Sequence, residues 1–197
     1  MKQKRWIVLI VVVLVFALSG AGLILGNFSA MKSQLSRNSA MGSSTGSDQV
    51  VQQISPDKTG MFISGDAKLV RAVQQELTHL LSGTPKFGEI VLVDGTSDKA
   101  DYPLLFVEFD KQEITWTPVY ARANLEINVS YASNGDVSFR HTTPVEFKHE
   151  GDQPSLMNNG KYSFSDESWG LISNPGYVNY LAKEIARAIS ADLMKTN

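Results

Sequence analysis

Apolar and polar positions divide the chain into an unbroken apolar run, a polar stretch and a region of alternating periods. Residues 6–26 read WIVLIVVVLVFALSGAGLILG, apolar around the whole circumference of a helix, with Lys2, Lys4 and Arg5 ahead of it. At ~1.5 Å per residue such a helix is about 30 Å long, the thickness of a bilayer's hydrocarbon core. The run predicts a transmembrane anchor with its basic tip in the cytoplasm, which puts the rest of the chain outside. The competing reading is a cleaved signal peptide with Ser19 and Ala21 near the cut, although the run exceeds the ~7–15 residues usual for a signal's apolar region. Gly22 and Gly26 have the spacing that lets two membrane helices approach closely, a spacing that unrelated glycines also produce.

Residues 29–59 are rich in Ser, Gly, Gln and Asn and too poor in apolar residues to build a core, so they predict a flexible tether. Three units follow: a tip and anchor over 1–28, the tether over 29–59 and a folded domain over 60–197.

Within the domain, Leu69, Val70, Val73, Leu77, Leu80 and Leu81 recur at helical spacing over residues 66–82, with Ser64 or Asp66 to cap the start and Gly83 and Pro85 to end it. A second helix is expected to be capped by Asn174 with Pro175 at its first position, and Val178, Leu181, Ala182, Ile185, Ile189 and Leu193 lie along one face. Short strands are predicted at 61–63, 89–93, 104–109 and 161–164. Ala121, Ala123, Leu125, Ile127, Val129 and Tyr131 alternate with polar residues, and after Asn134-Gly135 the apolar parity resumes at Val137, Phe139, Val145 and Phe147. A two-residue turn would oppose Val129 with Arg140. A three-residue turn over 133–135 opposes it with Phe139 and keeps one face apolar, which predicts a long hairpin with Gly135 at positive φ.

One apolar face per helix and one on the hairpin define the expected fold class: α+β, a two-layer sandwich of a mainly antiparallel sheet with two helices on one face, plus one N-terminal transmembrane helix. Hairpin arms of about 43 Å would overhang helices of about 25–30 Å and leave surface for a partner, unless the hairpin breaks near Pro144.

Charge narrows the partners. The chain carries -2 overall; 18 basic residues less the five before Asp48 leave 13 against 20 acidic, so the outer part carries about -7. Such a domain is a poor nucleic-acid binder. With no cysteine, thiol nucleophiles, disulfides and thiolate zinc sites are excluded.

Gly42-Ser43-Ser44-Thr45-Gly46 matches the serine-hydrolase pattern but lies in the tether, without the strand-to-helix elbow that the chemistry needs. His141 and His149 lie roughly 26 Å apart on an extended strand and cannot share a metal; His79 ends a helix, where a cation is favoured. Glu108, Asp110 and Glu113, and Asp98 with Asp101, are acidic groups of the kind that can do acid–base work, weighed against a plain solvated face. The reading assigns no catalytic residue, metal or cofactor. Trp116, Tyr120, Tyr162, Phe164 and Trp169, in or beside irregular segments, are the candidate partner-binding rim, or else the cover of an open core end.

The helix LVRAVQQELTHLL, the alternating strand YARANLEINVSYAS, its return VSFRHTTPVEFKHE and the final helix YVNYLAKEIARAISADLM together resemble, in layout, the lipopolysaccharide-assembly lipoprotein family of outer membranes. The resemblance spans about residues 61–195 and implies an envelope assembly or transport module. The expected function is a membrane-anchored extracytoplasmic module that binds another envelope protein or a lipid. The alternatives are a membrane-bound hydrolase using a carboxylate site, joined through Glu108 or Asp110 to His141, and the sensory domain of a larger complex.

Overall fold

The computed structural model describes residues 26–46, 56–147 and 155–195, together with positions 11, 13 and 20–23. Strand β1 (Ser29–Gly46) is followed by β2 (Lys58–Ser64), α1 (Ala67–Leu81), β3 (Glu89–Leu92), β4 (Leu104–Trp116), β5 (Tyr120–Ala132), a 3-10 turn (Ser138–His141), β6 (Ser155–Ile172) and α2 (Asn174–Lys195). Six strands form one sheet in the order β1-β6-β5-β4-β2-β3. The long strands β1, β6, β5 and β4 pair antiparallel, whereas β2 runs parallel to both β4 and β3. The parallel pair follows from the connection, because α1 carries the chain from β2 back to the start of β3.

Caps set the helix limits. Asp66 accepts the Lys68 and Leu69 N–H groups at the start of α1, and Gly83 at φ 76° follows its end. At α2 the capping side chain is Ser173, one residue before the expected Asn174. Its Oγ accepts the Gly176 N–H at 3.1 Å and the Phe28 N–H at 2.9 Å, which ties the start of β1 to the start of α2.

Both helices lie on one face. Leu69, Val73, Leu77 and Leu81 of α1 and Leu181, Ile185, Ile189 and Leu193 of α2 are buried against Ala121, Ala123, Leu125, Ile127, Val129 and Tyr131 of β5. Fully burying each Leu or Ile contributes about 1.5–3 kcal/mol, so this layer dominates stability. The opposite face carries a second, smaller core of Leu104, Phe106, Ala132, Val137, Phe139 and Met157.

Several expectations are corrected. Among the described residues no helix is long and apolar enough to cross a membrane, which overturns the transmembrane helix of the expected fold class, the signal anchor and the single-pass location with a cytoplasmic N-terminus. Most of the run 6–26 lies outside the described residues. Of the tether, 29–46 is strand β1, paired along its length with β6, and 58–59 opens β2; residues 47–55 lie outside the described set. The hairpin return also differs. Gly135 does take a positive φ, 77°, but β5 pairs with β4 and β6, so Val129 faces Val107 and Gly160 rather than Phe139. Residues 137–147 instead fold over the second core, where Val137 and Phe139 are buried. A covering loop satisfies the same apolar alternation as a strand would.

The sheet's open face and its aromatic end

Alternation along β5 sends Tyr120, Arg122, Asn124, Glu126 and Asn128 to the face opposite the helices, beside Trp169, Glu167, Ser165, Ser163 and Lys161 of β6. This face has two ends. At one, residues 98–102 and 136–147 close over it. Arg140 is the clasp: Nε and Nη2 donate to Asp98 Oδ1 at 3.0 and 2.7 Å, and Nη1 donates to Glu108 Oε1 at 2.6 Å. The guanidinium lies 4.3 Å from the centre of the Phe106 ring, and its side chain is only 9% exposed. His141 Nε2 lies 3.0 Å from Asp98 Oδ2. Gly135 is needed here because a Cβ would strike the Ala100 and Tyr102 carbonyls.

The middle of the face is a polar lattice. Asn128 donates to Asp110 at 2.7 Å, Lys161 pairs with Glu126 at 3.2 Å, and Arg122 lies 3.9 Å from Glu167. These exposed pairs contribute little to stability.

The other end is open and apolar. Tyr120 and Trp169 face each other across the β5–β6 register, with ring centres 5.8 Å apart and planes tilted by 51°. Trp169 is 43% exposed, Val119, next to Tyr120 in the chain, 63%, and Leu171, two residues beyond Trp169, 51%; Phe28, just before β1, is 37% exposed. The tight 117–119 turn holds Val119 in place: Thr117 N–H donates to the Tyr120 carbonyl, and Gly170 N–H donates to the Val119 carbonyl. Beside Trp169 a depression of about 750 Å³ is lined by Ala30, Met31, Lys32, Gln34 and Gly170, among others. Gly170, at φ 127°, lets β6 and β1 close up there, since a side chain would strike Ala30.

The five candidate rim residues are thus split. Trp116, Tyr120 and Trp169 gather at this end, with Trp116 on the helix face donating its Nε1–H to the Ile172 carbonyl at 3.2 Å. Tyr162 and Phe164 are buried beneath α2 and leave the rim. Val119, Leu171 and Phe28 were missed. The legible signal was Tyr120 itself, an aromatic on the polar parity of β5. Leu171 carried none, because its strand's alternation is disguised.

That disguise is a buried polar group on the helix face. Asp166 is fully buried and accepts from Ser168 Oγ at 2.8 Å, Tyr177 Oη at 2.7 Å, Tyr180 Oη at 3.4 Å and Ser33 Oγ. The network binds α2 to β6 and β1. Burial, then the bond to Asp166, pushes the Tyr177 hydroxyl well above its ordinary range.

The acid–base candidates are occupied by structural partners: Glu108 by Arg140, Asp110 by Asn128 and His141 by Asp98. Glu113 accepts from Asn124 at 3.4 Å and pairs with Lys111 at 3.2 Å. Ser44 of the hydrolase-like pattern lies within a strand, opposite Met157. Among the described residues no group of three or more His, Asp or Glu is placed to hold a metal ion.

No family model and no curated protein matches the chain. Similar solved structures include a PelC dodecamer from Paraburkholderia phytofirmans, at 10% identity and a TM-score of 0.40, covering 78% of this chain and 96% of that one. A leucine-to-methionine variant of that dodecamer matches over the same shares at 10% identity and a TM-score of 0.37. At these scores the likeness establishes no shared fold.

Proposed function

We propose that the chain is a binding module whose working surface is the aromatic end of the open sheet face, taking a protein segment or an amphiphile with both an apolar and a polar part. The observation that carries this reading is the Tyr120–Trp169 pair, with Trp169 exposed, flanked along the chain by exposed Val119 next to Tyr120 and exposed Leu171 two residues beyond Trp169. Exposed apolar clusters with a polar rim are typical of interaction sites, and aromatic residues supply most of the energy there. Lys32, directly opposite Trp169 in the β1–β6 register, adds a cation for an anionic part of the partner. A place in envelope assembly or transport is the expectation that goes with the layout likeness to lipopolysaccharide-assembly lipoproteins.

The test is a photo-crosslinking amino acid at position 171 of the full chain in its own cells, with one at position 161 as the control on the same face. The expected result is one protein or lipid adduct from 171, reduced at least tenfold by Trp169→Ser. Equal background from both positions would overturn the reading.

A further inference from the structure

The two edges of the sheet are unlike. β3 is a four-residue edge, whereas the eighteen-residue β1 ends the sheet on the other side, with no further strand beyond it among the described residues. Such an edge is a template for another strand, and proteins usually blunt it with proline, a bulge or shortness. β1 has no proline, and its register with β6 is continuous.

The backbone directions can be read from the ends. Ser173 N–H donates to the Phe28 carbonyl, while Gly170 and Ile172 donate the other way, to Val119 and Pro118. These directions alternate along an antiparallel ladder, so the odd-numbered residues of β1 point their N–H and C=O groups to the free edge.

We propose that this edge pairs with the β1 edge of a second copy of the chain, antiparallel, about a two-fold axis through Asn38. Two-fold pairing keeps both helix layers on one side of a continuous sheet, which requires odd residues to face odd. An axis through Arg37 would set like charges directly opposite. An axis through Asn38 sets Arg37 against Ser39, Lys32 against Ser44, and Leu35 against Met41, both of them half-exposed. It also brings Arg37 of one copy beside Asp192 of the other, because Ser39 Oγ donates to Asp192 Oδ2 at 3.4 Å. The pairing therefore sets apolar against apolar and brings Arg37 to the other copy's Asp192, and the occupant is the chain itself. With strands ~4.8 Å apart, the two β6 strands stand about 14 Å apart, which accommodates the two α2 layers at ordinary helix spacing.

The chain has no cysteine, so single thiols report the register. Asn38 faces its copy at a non-hydrogen-bonded position, where Cα atoms are about 4.5 Å apart, close enough for a disulfide. In the full chain under mild oxidation, Asn38→Cys links covalently into a dimer, while Ser36→Cys, which faces Ala40, links at least tenfold less. Mixing Ser36→Cys with Ala40→Cys restores the link. Ser39→Pro, which removes an outward N–H and no bond to β6, converts the native dimer to monomer in sedimentation. A native monomer, or equal linking at 38 and 36, overturns the proposal.

Discussion

The two ends of the sheet's open face use the same kinds of residue in opposite ways. At the closed end Phe106 and Phe139 are buried under residues 136–147, and Arg140 spends its donors on Asp98 and Glu108. At the far end Tyr120 and Trp169 have no such cover among the described residues, and Leu171 and Val119 stay exposed. The difference teaches that aromatic content alone does not distinguish the two ends. What separates the two ends is whether the described chain itself supplies a lid.

This comparison can be broken by substitution. The largest effect is expected at the closed end, where Phe139→Ala loses about 3–5 kcal/mol of unfolding free energy in urea. Arg140→Ala comes next, at about 2–4 kcal/mol, since it strands two partly buried carboxylates; Arg140→Lys recovers only part, because one ammonium cannot reproduce the fork. Asp166→Asn, on the helix face, costs about 1–3 kcal/mol by removing an acceptor from buried hydroxyls, and leaves both ends of the open face unchanged in crosslinking. Trp169→Ala is the smallest, under about 1 kcal/mol, because the ring is already 43% exposed.

Alkaline pH supplies a further check. Burial raises the hydroxyls of Tyr131, Tyr162, Tyr177 and Tyr180 above their ordinary value of 10.0. Above that pH the unfolded chain releases protons that the folded chain keeps, so stability is full below pH ~10 and falls as pH rises. Lys86, lowered by burial while donating to the Leu193 carbonyl, acts in the opposite direction, one group against four. Urea midpoints at about pH 9 and about pH 11 should therefore fall, and fall less in Tyr177→Phe.

How much was legible depended on what each element buries. β5 could be read because every odd residue from Ala121 to Tyr131 enters the core, and both helices could be read for the same reason. β1 could not: its inward positions include Ser33, Arg37 and Ser39, and its strand character comes from β6, whose own alternation is hidden by the buried Asp166 and Ser168. Residues 137–147 misled in the other direction, because a lid over Phe106 selects the same alternation as a strand. Of the candidate rim, Tyr120 and Trp169 were named by residue type, and the register shows that they meet.

The most direct test pairs two truncations of one chemistry, Phe139→Ala and Trp169→Ala, each scored for its urea midpoint and for the adduct trapped from position 171. The account predicts that Phe139→Ala destabilises the fold yet keeps the adduct per folded molecule, whereas Trp169→Ala keeps the midpoint and loses the adduct. A Trp169→Ala chain that unfolds like the other, or that still traps the partner in full, would contradict it.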